Sequence, residues 1–70
     1  MLDPYMKAVF SFVREIKKAD QEEEAYNKII RKYRPSELFM DIAVRQLEVN
    51  GDYSASVCLR YIIHKNKKED

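Results

Sequence analysis

Few residues in this chain have reactive chemistry to offer. Cys58 is the one cysteine and His64 the one histidine. A nucleophile and its base must lie within hydrogen-bond reach, with a third group to orient the base. On a helix the spacing of Cys58 and His64 places them on different faces. No GxSxG elbow and no HExxH pair is present, and a single glycine, Gly51, cannot build a phosphate-cradling loop. Cys58 stands between Val57 and Leu59, close to Tyr61, where a buried inert thiol is expected. His64 shares a polar stripe with Ser56 and Arg60, and a histidine suits the C-terminal end of a helix. Glu22, Glu23 and Glu24 are consecutive, so on a helix they point to different sides and serve the positive helix start rather than a metal. A structural zinc site normally takes four nitrogen or sulfur ligands, and one Cys with one His falls short. The residue set therefore predicts no enzyme, no metal, no cofactor and no small-molecule substrate.

Binding chemistry is better represented. Lys28, Arg31, Lys32, Tyr33 and Arg34 form a compact basic cluster with an aromatic inside it. Arg60, His64, Lys65, Lys67 and Lys68 form a second. Basic residues interleaved with tyrosine can hold phosphates and stack on bases. Arg31, Lys32, Arg34 and Arg60 are the candidates for that role in a small DNA- or RNA-binding regulator. Against it, 13 basic and 12 acidic side chains leave a net charge of only +1, which argues against binding by bulk charge alone but leaves room for a local basic patch. A recognition helix also needs polar side chains along its N-terminal half, and Tyr53-Ser54-Ala55-Ser56-Val57 is poorly equipped. Helix C-terminal charge accounts for both clusters, and that reading is preferred.

These side chains must be positioned by helices. Asp3-Pro4 reads as an N-cap followed by a first-turn proline. Tyr5, Val9, Phe12, Val13 and Ile16 then recur at helical spacing, with Met6 and Phe10 widening the face. Asp20 and Glu23 stand in capping-box relation and predict a second helix from Asp20. Tyr26, Ile29, Ile30 and Tyr33 form its narrow stripe, and Pro35 stops it. A third helix begins at Pro35 or Ser36. Its apolar residues, Leu38, Phe39, Met40, Ile42, Ala43, Val44, Leu47 and Val49, cover well over half the circumference, the mark of a central or partner-covered helix.

Asn50-Gly51-Asp52 admits two readings. As a helix end, Gly51 is the left-handed residue and Asp52 caps a fourth helix, with Val57, Cys58, Tyr61 and Ile62 facing inward. As a hairpin, Asn-Gly is a strong turn signal, and Tyr53 to Ile63 alternates with period two. The helix is preferred, because no third strand is visible to support a lone hairpin. QLEVNGDYSASVCLRYI loosely resembles the turn and second helix of a tetratricopeptide unit. It covers about a quarter of the chain, and one unit cannot bury its own faces, so it is read as a generic helical hairpin. No internal repeat is legible in the residue identities.

The expectation is a single all-α domain over residues 1–70, a bundle of four short helices, with 65–70 a frayed polar tail. The alternative is α+β, with a C-terminal β-hairpin around Asn50-Gly51. At 70 residues, folding buries only about 60% of the unfolded surface, and neither a disulfide nor a zinc site assists. Self-association, as a homodimer, is the remaining aid. No apolar run approaches the roughly 20 residues that span a bilayer. Asp3 and Glu15 dilute the basic face of the first helix, so no membrane partner is expected. MLDPYMK has no secretory pattern and the lone thiol suits a reducing compartment, so cytoplasm is the default. Apolar surface in excess of the core, with five tyrosines, points to a protein-protein interaction module. This would be an adaptor, inhibitor or regulatory subunit acting on a larger protein. Phe10, Phe39, Met40, Val44 and Tyr61 are the interface candidates.

Overall fold

The computed structural model describes residues 3–68, in four helices: α1 (Pro4–Lys18), α2 (Glu23–Tyr33), α3 (Glu37–Val49) and α4 (Tyr53–Lys68). No strand occurs among the described residues. The chain is all-α, and the β-hairpin alternative is excluded by how α3 ends. Gly51 N–H donates to the Glu48 carbonyl at 3.0 Å and Asp52 N–H to the Leu47 carbonyl at 2.8 Å. This is the paired closure of a Schellman motif, with Gly51 at φ +84°. Asn50 stays right-handed at φ −79°. A type I′ hairpin turn needs positive φ at both central residues.

The other helix ends follow local chemistry, with one exception. Asp3 Oδ1 accepts from Met6 N–H at 2.9 Å, and Ser36 Oγ accepts from Phe39 N–H at 3.1 Å. Arg34 closes α2 in the left-handed region, its N–H donating to the Ile30 carbonyl at 2.8 Å, and Pro35 follows. The exception is the start of α2. Asp20 is not its cap: Asp20 and Gln21 both take positive φ, +51° and +61°, and the helix begins at Glu23. A helix started at Asp20 would leave only Ala19 to reverse the chain after Lys18. Two left-handed residues make that reversal, at roughly 1–2 kcal/mol each.

α1 and α2 form one helical hairpin; α3 and α4 form another. α1 packs on α3, and α2 packs on α4. Tyr5 meets Phe39 near the start of α1 and α3, while Lys17 meets Asp52 at their far end, so these helices run the same way. Gln21 meets Cys58 ahead of the Asn27–Asn66 contact, and α2 and α4 are likewise aligned. The two hairpins are thus stacked in parallel and share one up-down order, though their turns and second helices differ. The burial pattern repeats with them. Val9, Phe12, Val13 and Ile16 of α1 correspond one for one to Met40, Ala43, Val44 and Leu47 of α3, and all eight are buried. Tyr26, Ile29, Ile30 and Tyr33 correspond in the same way to Leu59, Ile62, Ile63 and Asn66. The burial pattern thus recurs from one hairpin to the other without a recurrence of residue types.

Phe12 meets Tyr33 within the first hairpin and Phe39 of the second edge-on, with ring centroids 5.3 and 5.4 Å apart. Each fully buried large side chain, such as Ile16, Leu47 or Leu59, contributes roughly 1.5–3 kcal/mol relative to exposure. α4 presents a different face inward from the one expected. Ser56, Leu59 and Ile62 are buried, Cys58 is half-buried, and Val57 and Tyr61 point outward. Ser56 tolerates burial because its hydroxyl donates to the Tyr53 carbonyl at 2.8 Å. The stretch from Lys65, expected to fray, stays helical through Lys68. It is tied to the bundle by Lys65–Glu23 at 2.8 Å, Asn66–Asn27 at 3.3 Å and Lys67–Glu37 at 2.6 Å. The end of that expected tail, residues 69–70, lies outside the described residues.

Candidate interaction surfaces

The structure divides the expected interface residues. Phe39, Met40 and Val44 belong to the hydrophobic core. They hold α3 against the first hairpin and are not displayed to a partner. Phe10 is half-buried beside a shallow groove between α1 and α3, with Arg14, Lys17 and Gln46. Tyr61 is the one candidate of the five that stands free on the surface, 60% exposed.

The expected nucleic-acid residues are not gathered into one cleft. Lys32 Nζ lies 3.1 and 3.2 Å from the two carboxylate oxygens of Glu15, and 5.4 Å from the centre of the Tyr33 ring. The Tyr33 hydroxyl donates to the same carboxylate. That hydrogen bond, followed by the one from Lys32, holds Glu15 below its usual range, and it pushes Tyr33 up to about 12. Arg60 belongs to the other hairpin and pairs with Glu48 at 3.3 Å. Arg31 on α2 and Arg34 just past its end are exposed, without an ion pair among the described residues. No group of three His, Cys, Asp or Glu side chains among the described residues is placed to hold a metal ion. His64 is exposed. The Cys58 thiol donates to the Gln21 carbonyl at 3.8 Å. No described helix is long and apolar enough to cross a membrane.

What sequence reasoning missed becomes visible when the two hairpins are compared position by position. On the first, the exposed positions Lys7, Ser11 and Lys18 of α1 and Glu24 and Lys28 of α2 are polar. Their counterparts on the second hairpin are Leu38, Ile42 and Val49 of α3 and Val57 and Tyr61 of α4. Four of these are well exposed: Leu38 64%, Val49 78%, Val57 65% and Tyr61 60%. Tyr53, 65% exposed, extends the α4 set, so Tyr53, Val57 and Tyr61 follow one another along one face of the helix. A shallow apolar depression beside them includes Ser54, Cys58 and Gln21. The signal was present in the sequence, but only the burial register shows which positions correspond.

A second surface lies between α3 and α4, a groove of about 520 Å³. Met40, Val44 and Ile63 form its floor. Glu37 and Asp41 stand on the α3 side, and Arg60, His64 and Lys67 on the α4 side. Lys67 and Glu37 are paired across it, and Glu37 is lowered and Lys67 raised by that contact. Comparison with protein-family models, curated proteins and solved structures gives no match to this chain.

Proposed function

We propose that the chain is a small protein-interaction module. It acts as an adaptor, inhibitor or regulatory subunit by laying the outward face of α4 on a larger protein. The observation that carries this reading is the exchange of Glu24 and Lys28 for Val57 and Tyr61 at corresponding, outward positions of the two hairpins. The same backbone position tolerates charge in one hairpin, so nothing in the fold requires an apolar side chain there. Exposed apolar and aromatic side chains in a contiguous line mark a binding surface. Tyrosine suits it, because it offers apolar area with a polar tip. Arg60 and His64 flank the line and would set orientation at the rim.

The test is affinity capture from the source cell, with wild-type and Val57→Asp chains as parallel baits. The expected result is a defined protein captured by the wild type and lost with Val57→Asp. Capture should survive nuclease treatment and a change from about 50 to 200 mM salt, across which a nucleic-acid complex weakens steeply. Capture unaffected by Val57→Asp overturns the assignment to α4. Loss on nuclease or modest salt overturns it in favour of a nucleic-acid regulator using Arg31, Lys32, Arg34 and Arg60.

A further inference from the structure

Phe10 belongs neither to the hydrophobic core nor to the α4 line. It shares with Arg14 a groove of about 540 Å³ between α1 and α3. Lys17, Lys18, Gln46 and Asn50 complete the rim, and no acid borders it among the described residues. The reason is where the acids of these two helices point. Glu15, the one acid of α1, turns to Lys32 and Tyr33 of α2. In α3, Glu37 and Glu48 pair with Lys67 and Arg60 of α4, and Asp41 borders the groove on that same side. Every acid of α1 and α3 thus faces the other two helices, and the groove keeps only bases and neutral amides. Lys17 is paired with Asp52 at 3.2 Å. Arg14 makes no ion pair or hydrogen bond among the described residues. Neither does Lys18, although Glu15 lies within its field. The side-chain amides of Gln46 and Asn50 likewise have no hydrogen bond there. The negative end of α1 accounts for Lys17 and Lys18. It does not account for Arg14, a full turn before Lys18, or for an acid-free groove with two open amides.

We infer that the α1–α3 groove receives a short acidic segment of a partner protein, with carboxylates set beside a leucine-like side chain. Charge complementarity chooses the occupant. The Arg14 guanidinium is a planar fork that matches a carboxylate, and Lys18 adds a second cation one turn on. The amides of Gln46 and Asn50 can donate to the segment's backbone carbonyls. Phe10, half-buried at the other end, offers apolar area to the leucine-like side chain. From Phe10 to Lys18 the helix axis advances roughly 12 Å, at about 1.5 Å per residue. That is the reach of three or four extended residues at about 3.3 Å each. A nucleic acid fits less well. Beyond Lys18 the chain exposes Asp20, Glu22, Glu23 and Glu24, which repel a polyanion continuing past the groove. A short peptide ends before it meets them. The groove shares no residue with Tyr53, Val57 and Tyr61, so it is a second surface, independent of the α4 line.

Fluorescence polarisation with the full chain tests the proposal. The probe is a fluorescein-labelled peptide of three glutamates between two leucines. Its controls are the same peptide with glutamine for glutamate, and a labelled short oligothymidine. Wild type is expected to bind the acidic peptide saturably at about 50 mM salt and to bind the glutamine peptide far more weakly. Arg14→Glu and Lys18→Glu should each raise Kd about tenfold or more. Lys28→Glu, an equal change of charge on the exposed side of α2, should leave Kd within about twofold, and so should Val57→Asp. Circular dichroism should show both groove variants as helical as wild type, since Arg14 and Lys18 are exposed. The proposal is overturned if the acidic peptide does not saturate by about 1 mM. It is equally overturned if the glutamine peptide binds as tightly, or if Lys28→Glu weakens binding as much as Arg14→Glu. Tighter binding of the oligothymidine, lost with the same two groove variants, overturns the peptide as occupant in favour of a nucleic acid.

Discussion

Removing one oxygen from Tyr26 should stabilise the protein. Tyr26 is fully buried, and its hydroxyl has no hydrogen-bond partner among the described residues. The Cys58 thiol lies beside it, but sulfur is a weak acceptor and that thiol donates to the Gln21 carbonyl. A buried hydroxyl left unpaired costs about 1–3 kcal/mol in mutational series. Phenylalanine keeps the ring, and with it the packing, and deletes the unsatisfied group. Tyr26→Phe should therefore gain about 1–2 kcal/mol, or roughly 4–8 °C in Tm per kcal/mol for a domain of this size. Thermal and urea denaturation at neutral pH measure it. Alkaline melts give a second reading. Burial, then the Cys58 thiol, pushes the Tyr26 hydroxyl up to about 12 from the ordinary 10.0. The unfolded chain then loses its proton first, so stability is full below pH 10 and falls as pH rises toward 12. Tyr26→Phe should remove that tyrosine's share of the fall. If Tyr26→Phe instead loses 1 kcal/mol or more, the hydroxyl is bonded and the reasoning is wrong. A double-mutant cycle with Cys58→Ala would then show whether the thiol is the partner.

Two further outcomes follow from the same structure. Gly51→Ala meets no atom within 4 Å of the new Cβ, so its cost is purely that of holding alanine at φ +84°, about 1–2 kcal/mol; Gly51→Asn should cost less, and equal costs for the two in urea denaturation would contradict the Schellman account. Glu15, lowered first by the Tyr33 hydrogen bond and then by Lys32, contributes stability that is present above 4.5 and lost as pH falls through its depressed value. Acid melts of Tyr33→Phe should show a smaller loss over that window than wild type.

Helix boundaries written in local chemistry were legible in the chain alone. Asp3-Pro4, Ser36, Pro35 and Gly51 each act on groups within a turn of themselves, so their effect does not depend on where the rest of the chain lies. The α1 stripe Val9, Phe12, Val13 and Ile16 was legible for a related reason. On a helix with one apolar face, periodicity and burial are the same information. The start of α2 was not. The Asp20–Glu23 pattern is a valid local cap, but the chain needed those residues to turn back on itself, and tertiary reversal outweighed local preference.

The candidate surfaces were the least legible part. Phe39, Met40 and Val44 were as apolar as any interface residue, and only the approach of α1 and α4 decides that they are core. In α4 the apolar residues occur all round the helix, so periodicity could not orient it. Packing against α2 and α3 chose Ser56, Leu59 and Ile62 as the inward face and left Tyr53, Val57 and Tyr61 outside. The sequence by itself determined that there are helices, where most of them stop, and that apolar surface exceeds what the core needs. Only the tertiary structure decided which apolar residues are the surplus. Exposure is a property of the neighbours a side chain meets, and those neighbours come from distant parts of the chain.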